Sequence, residues 1–276
     1  MRTLITLSCF FSGLLSLSVS ASVNVVTSIE PIHQITSSIM QGVGEPELLI
    51  KQQASSHHFS FKPSHFTLVK NADLLIWVGR DFESGFQRLP DILSKKTKSL
   101  ELLSSLEMKH ADGHIWYSSR LLPKVANQIL LALSKIDPGN TLVYQRNAEK
   151  LIDSIKQWAQ TTRAMIAKTK PQYILDHDFL SHFEQDMGIE ANAVLHDGHD
   201  QHSGIHEIRE IESRLRESSI KCLLINEPTP SKLARNFADE FDLKIHNIMQ
   251  PDNDEQHPLR LIDSLNKLSS IMQLCH

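Results

Sequence analysis

Three histidines in three separate motifs are the residues of this chain best placed to do chemistry. They are His57 in SSHHF (55–59), His114 in DGHIW (112–116) and His177 in LDHDF (175–179). Neutral imidazoles gathered at one point favour zinc, a borderline ion that takes nitrogen and sulfur ligands in a tetrahedron. His57 lies seven residues past an apolar run at 48–50 and His177 two past one at 173–175, while His114 opens a segment that leads into a helix. In open α/β folds, ligands collect in the crevice outside the carboxyl ends of the strands. Each imidazole is therefore expected at the rim of one such crevice. Histidine is also the compositional oddity of the chain, with 15 residues against three Trp and three Tyr.

The elements that must position these residues alternate. Apolar, β-rich runs at 23–28, 48–50, 74–78 and 100–103 are separated by helical stretches, the first closed by Gly42 and Gly44. Such alternation is the signature of a parallel sheet covered by helices. A helix is expected from about Ser119 to Lys135. Asp137-Pro138-Gly139-Asn140 then breaks the pattern, and Thr141 can cap a second helix. In that helix Ala148, Leu151, Ile155, Trp158, Thr162 and Met165 keep one face apolar over a long run that Pro171 ends. The alternation resumes with strand-like runs at 173–175, 191–195, 222–225 and 245–249 and a last helix near 259–274. The expected fold class is α/β: two lobes, each a parallel four-stranded sheet with flanking helices, bridged by one long helix. The expected boundaries are 22–140 for the first lobe, 141–170 for the helix and 171–276 for the second lobe.

Residues 1–21 combine a basic Arg2, an apolar stretch from Leu4 to Leu17 and small residues at Val19-Ser20-Ala21, the pattern of a secretory signal peptide. Removing them takes one positive charge from a chain of net charge −4 and leaves two of three cysteines, Cys222 and Cys275. Two cysteines in an exported chain most simply form one disulfide; two unpaired thiols or a metal-binding pair are the other readings. No later segment approaches the ~20 apolar residues of a membrane span. No basic stripe suggests nucleic acid. Walker, GxGxxG and nucleophile-elbow motifs are absent from the sequence.

The segments VVTSIEPIH, ELLIKQQASSHHFSFKPS, NADLLIWVG, GHIWYSS, LDHDFLSHFEQDMGI, IHEIR and KCLLINEP, with the terminal Cys275, succeed one another through nearly the whole exported chain. In that order they resemble the zinc-binding solute-binding proteins of metal ABC importers, the ZnuA-type family. The resemblance implies two α/β lobes bridged by a long helix, and zinc held between them on His57, His114 and His177. It also implies a Cys222–Cys275 pair and delivery of Zn²⁺ to the membrane permease of an ABC importer. The protein is then an exported, periplasmic receptor rather than an enzyme, expected as a monomer with no nucleic acid and no small organic substrate.

The departures from the family pattern choose the metal. Manganese-binding relatives carry Glu where His177 stands, and the family's further Asp falls on Gln250. Losing both carboxylates argues for zinc over manganese. A fourth ligand is left open among water, Gln250, His58 and Asp252. Asp178 is a candidate to orient a ligating imidazole. The family's long His-rich loop before GHIW is missing, whereas His196-Asp197-Gly198-His199-Asp200-Gln201-His202 offers imidazoles elsewhere, as a weak secondary zinc site or a plain polar loop. Two further readings use the same residues: a zinc hydrolase or hydratase with a His₃ site, for which no general base stands out, and an adhesin or metallochaperone on the same fold.

Overall fold

The structure, a computed structural model, describes residues 23–51, 60–88, 93–108, 112–196, 204–249 and 260–276. The expected signal segment 1–21, His57, His58, the 197–202 part of the His-rich stretch, Gln250 and Asp252 lie outside the described residues.

The first lobe is built on a parallel sheet of β1 (Val25–Thr27), β2 (Glu47–Leu48), β3 (Leu74–Trp77) and β4 (Lys98–Glu101) in the order β2-β1-β3-β4. The second sheet repeats the arrangement with β5 (Tyr173–His177), β6 (Ala193–His196), β7 (Cys222–Ile225) and β8 (Lys244–Asn247) in the order β6-β5-β7-β8. Strands β1, β3, β5 and β7 are buried along nearly their whole length, as sheets covered on both faces require. In each sheet the chain winds outward in both directions from its first strand, so β1 and β5 mark the switch points where such folds bind ligands.

Among the described residues the helices in chain order are α1 (Glu30–Met40), α2 (Pro63–Asn71), α3 (Leu102–Ser105), α4 (Leu122–Ile136), α5 (Thr141–Thr169), α6 (Ser181–Met187), α7 (Ile205–Arg216), α8 (Lys232–Phe241) and α9 (Leu261–Leu274). At 29 residues, α5 is roughly 44 Å long, and it presents Tyr144, Ala148, Leu151, Ile155, Trp158 and Ile166 to the core. It is tied at several points. Asn147 donates to the carbonyls of Ile39 (3.0 Å) and Gln41 (2.8 Å), satisfying the carboxyl end of α1. The Trp158 indole donates to Leu265 O at 2.9 Å, and Thr162 meets Ser269 at 2.7 Å. Helix α9 also reaches the first lobe, where Ser264 donates to Gln34 at 3.2 Å. One apolar core therefore runs from the first sheet along α5 and α9 to Tyr173, Leu175 and Phe179 of the second lobe. A second core, around Ile174, Leu223 and Phe237, covers the other face of the second sheet.

The fold class read from the sequence is borne out, and the differences are local. The run at 100–103 is a strand only to Glu101. There the pairing with Trp77 ends, and Leu102 and Leu103 turn into α3. Leu103 packs so closely on Gly79 that a Cβ there would stand 3.0 Å from its Cδ1. Thr141 is the first residue of α5 rather than its cap. The turn is held by Asp137, which accepts from Asn140 at 2.8 Å and from the Tyr144 hydroxyl at 2.6 Å. Strand β5 runs two residues further than its apolar run, so His177 closes the strand itself. The Cys222–Cys275 disulfide forms and ties the start of β7 to the end of α9.

Candidate metal centre

His177 reaches the junction of the lobes because it ends β5, the switch strand of the second sheet. His114 comes from the first lobe, directly before a single 3-10 turn at Ile115–Tyr117. The two ring centroids lie 5.7 Å apart. Two imidazoles sharing one tetrahedral zinc, each nitrogen ~2.1 Å from the ion, place their centroids about 5 Å apart. This pair thus fits one zinc ion with small adjustment. The Nε2 atoms of both rings are buried.

His114 is held with care. It is fully buried, and its Nδ1 donates to Asp112 Oδ1 at 2.7 Å, while the same oxygen accepts the His114 backbone N–H at 3.0 Å. A carboxylate on the far nitrogen of a ligating histidine fixes ring orientation and tautomer and makes the other nitrogen a better donor. Burial would push the Asp112 carboxyl up, but hydrogen bonds from His114 and Ser181 outweigh it and hold the group well below the ordinary range. Asp112 is also a bridge between lobes. Its Oδ2 accepts from Ser181 at 2.7 Å and its carbonyl accepts from His182 Nε2 at 2.9 Å, both on α6. Phe82, Trp116 and Phe179 surround the His114 ring, with centroids at 5.1, 5.2 and 6.2 Å. Gly113 permits that wall: a Cβ at this position would lie 2.3 Å from the Phe82 ring.

Two further contacts lock the lobes beside the histidines. Asp186, its side chain fully buried, accepts from Ser118 (2.9 Å), Ser119 (3.0 Å) and the Arg120 backbone N–H (3.0 Å), and pairs with the Arg120 guanidinium. Burial raises its carboxyl, yet these donors keep the net shift downward. The Tyr117 hydroxyl donates to Asn226 at 2.6 Å.

Of the sequence-derived ligand set, His114 and His177 come together from different lobes, and His57 falls outside the described residues. The carboxylate that hydrogen-bonds the far nitrogen of His114 is Asp112, which sequence reasoning misses. Its only signal is a D-x-H spacing too common to single out. Asp178, the sequence candidate, contributes to raising Glu184, whose burial is the larger cause. His196 ends β6 as the register partner of His177, and its Nδ1 donates to the Asp176 carbonyl at 2.8 Å. Asp176 is tied in turn to Ser231 at 2.6 Å.

Two switch-point sheets locked side by side, with one imidazole from each lobe meeting at the junction, define a two-lobed metal-binding protein. The chain belongs to the family described as zinc-uptake complex component A, periplasmic, whose pattern matches residues 25–267. That family consists of periplasmic binding proteins, not enzymes. A high-affinity zinc uptake system protein of Brucella abortus is 23% identical over 294 residues, covering 87% of each chain. Two solved structures share the fold. The periplasmic zinc-binding protein of Treponema pallidum has a TM-score of 0.80 at 15% identity, covering 92% of this chain and 99% of its own. The laminin-binding protein of Streptococcus agalactiae, described as a bifunctional adhesin and metal transporter, has 0.76 at 18%, covering 91% and 99%.

Proposed function

We propose that this protein is an exported receptor that captures Zn²⁺ between its lobes on His57, His114 and His177 and delivers it to the membrane permease of an ABC importer. The observation that carries this reading is the pair of imidazoles, one from each lobe, set at zinc-sharing distance with Asp112 behind one of them. Zinc suits this nitrogen-dominated set better than manganese, which favours carboxylate oxygens. In this reading residues 1–21 are the signal peptide, 22–140 and 171–276 the lobes, and 141–170 the bridging helix. The chain works as a monomer in the periplasm. The core shared by both lobes and the Asp186 and Tyr117 locks oppose a wide hinge motion, so release accompanies docking on the permease through small local movements.

Zinc titration of His57→Ala, His114→Ala and His177→Ala tests the ligand set. Each variant is expected to lose at least tenfold in affinity (about 1.4 kcal/mol), and unchanged affinity in any two of them refutes it. The zinc-loaded protein is expected to leave ester and amide substrates untouched; turnover would favour the hydrolase reading instead.

A further inference from the structure

We propose that Cys222, Cys275 and His246 form a second, redox-gated metal site. It is a disulfide in the oxidised chain and a bis-thiolate–imidazole site for zinc or a similar divalent ion in the reduced one. The two sulfurs and an imidazole nitrogen of His246 lie within 4.8 Å of one another. A tetrahedral zinc with sulfur ligands at ~2.3 Å and nitrogen at ~2.0 Å separates its donors by roughly 3.5–3.8 Å. Once the disulfide is reduced and its sulfurs part, movements of about an ångström or two bring the three donors to these separations.

The three residues are placed by rigid elements. Cys222 opens β7 and is the register partner of Lys244; His246, two residues further along β8, lies on the same sheet face as Lys244. Cys275 closes α9, and its carbonyl accepts the Gln172 backbone N–H at 2.5 Å. Both cysteines are buried and His246 is half-buried. This cluster lies at the amino end of the second sheet, where Cys222 pairs with Tyr173, whereas His177 lies at the carboxyl end of the same strand β5. It is a different site from the one between the lobes and does not depend on it.

The donor set suits zinc, which takes sulfur and imidazole nitrogen together in one tetrahedral site. Burial first, then the nearby Lys244 and Lys267, lower the His246 imidazole from its ordinary value. The chemistry balances in two steps. A dithiol reductant opens the disulfide by thiol–disulfide exchange, giving two thiols here and a disulfide in the reductant. Zinc then displaces the two thiol protons, with the imidazole as third ligand and a water in the fourth position. Reoxidation by a disulfide-bearing oxidant passes two electrons out, restores the Cys222–Cys275 bond and expels the ion. A newly exported chain that meets zinc before its cysteines are oxidised would occupy this state.

Cobalt(II) tests the idea, because thiolate ligation gives an intense near-ultraviolet charge-transfer band and tetrahedral geometry strong visible bands. The protein is the full chain carrying His114→Ala and His177→Ala, compared after phosphine reduction and in its oxidised form. The reduced form is expected to take up one further equivalent with thiolate bands, displaced by one equivalent of zinc; the oxidised form is not. Adding His246→Gln should weaken that binding by at least roughly tenfold and alter the visible bands, while the oxidised variant melts as its parent does. If reduction unfolds the chain, judged by circular dichroism, one equivalent of zinc must restore the fold. The proposal is overturned by absence of thiolate-ligated cobalt, by a His246→Gln variant equal to its parent in affinity and spectrum, or by a reduced chain that zinc does not refold. Failure of the site between the lobes is read separately, from zinc titration of the oxidised wild-type chain.

Discussion

Replacing Asp112 by alanine separates the orienting role of this carboxylate from simple bulk. The residue makes the 2.7 Å contact to His114 Nδ1, accepts the His114 backbone N–H and receives Ser181 from the opposite lobe. Removing a carboxylate behind a ligating histidine typically weakens metal binding 10- to 100-fold, which is about 1.4–2.7 kcal/mol. The aromatic wall of Phe82, Trp116 and Phe179 limits how far the ring can swing, which favours the lower half of that range. A further ~2 kcal/mol of folding stability should disappear with the charged hydrogen bonds. Competition titration of the oxidised full chain against a chromophoric zinc chelator reads the first quantity, and chemical denaturation the second. Asp112→Asn keeps an acceptor for Nδ1 and should fall between wild type and alanine in affinity. Ser181→Ala leaves the His114 contact in place and should lose stability with little change in affinity. An Asp112→Ala variant that binds zinc within twofold of wild type, yet is destabilised, would refute the argument and reduce Asp112 to a lobe-to-lobe tie.

The buried carboxyls and the disulfide set three further outcomes. Glu83, wholly buried, is pushed up to about 7 from 4.5 by burial, against the backbone N–H groups of Val78 and Gly79 that it accepts. Between those two values the folded chain keeps a proton that the unfolded chain has lost, so stability falls as pH rises through the window, by up to ~3 kcal/mol. Glu83→Gln should flatten that slope; denaturation at pH 5 and pH 8 giving the same dependence for both proteins would contradict it. Asp186 has the opposite sign. Its depressed carboxyl adds stability that is present above ~3.9 and is lost as pH falls through the folded value. Because Arg120 is largely exposed, most of the contribution comes from Ser118, Ser119 and the backbone N–H, and Asp186→Ala should cost ~3 kcal/mol and unfold at higher pH in an acid titration. Cys222 and Cys275 close a loop of sequence separation 53. Replacing both with serine should cost about 4 kcal/mol on the chain-entropy account, measured as a lower denaturation midpoint without added metal.

Much of the architecture is legible in one dimension because both relevant signals are local. The period of 3.6 along Ala148, Leu151, Ile155, Trp158 and Thr162 encodes a helix with one buried face. Short apolar runs between helical stretches encode parallel strands buried on both sides. Sequence and structure part where a long-range contact ends an element. The β4 run stops at Glu101 because the pairing with β3 stops at Trp77, and β5 extends to His177, whose register partner is His196 on β6. Neither partner lies nearby in sequence.

The metal centre divides in the same way. Which side chains can ligate is a property of residue type, so the histidine motifs make His114 and His177 candidates that the family resemblance selects, and Cys222 and Cys275 are the cysteines that remain once the expected signal segment is set aside. How those groups are held is a property of packing between segments far apart in the chain. Asp112 bridges to Ser181 across 69 residues, Tyr117 to Asn226 across 109, and Ser118 to Asp186 across 68. His246 stands beside a disulfide whose halves come from β7 and the end of α9. Chemical identity is written residue by residue, but orientation, burial and partnership arise only when the chain folds back on itself and brings distant groups within a few ångströms.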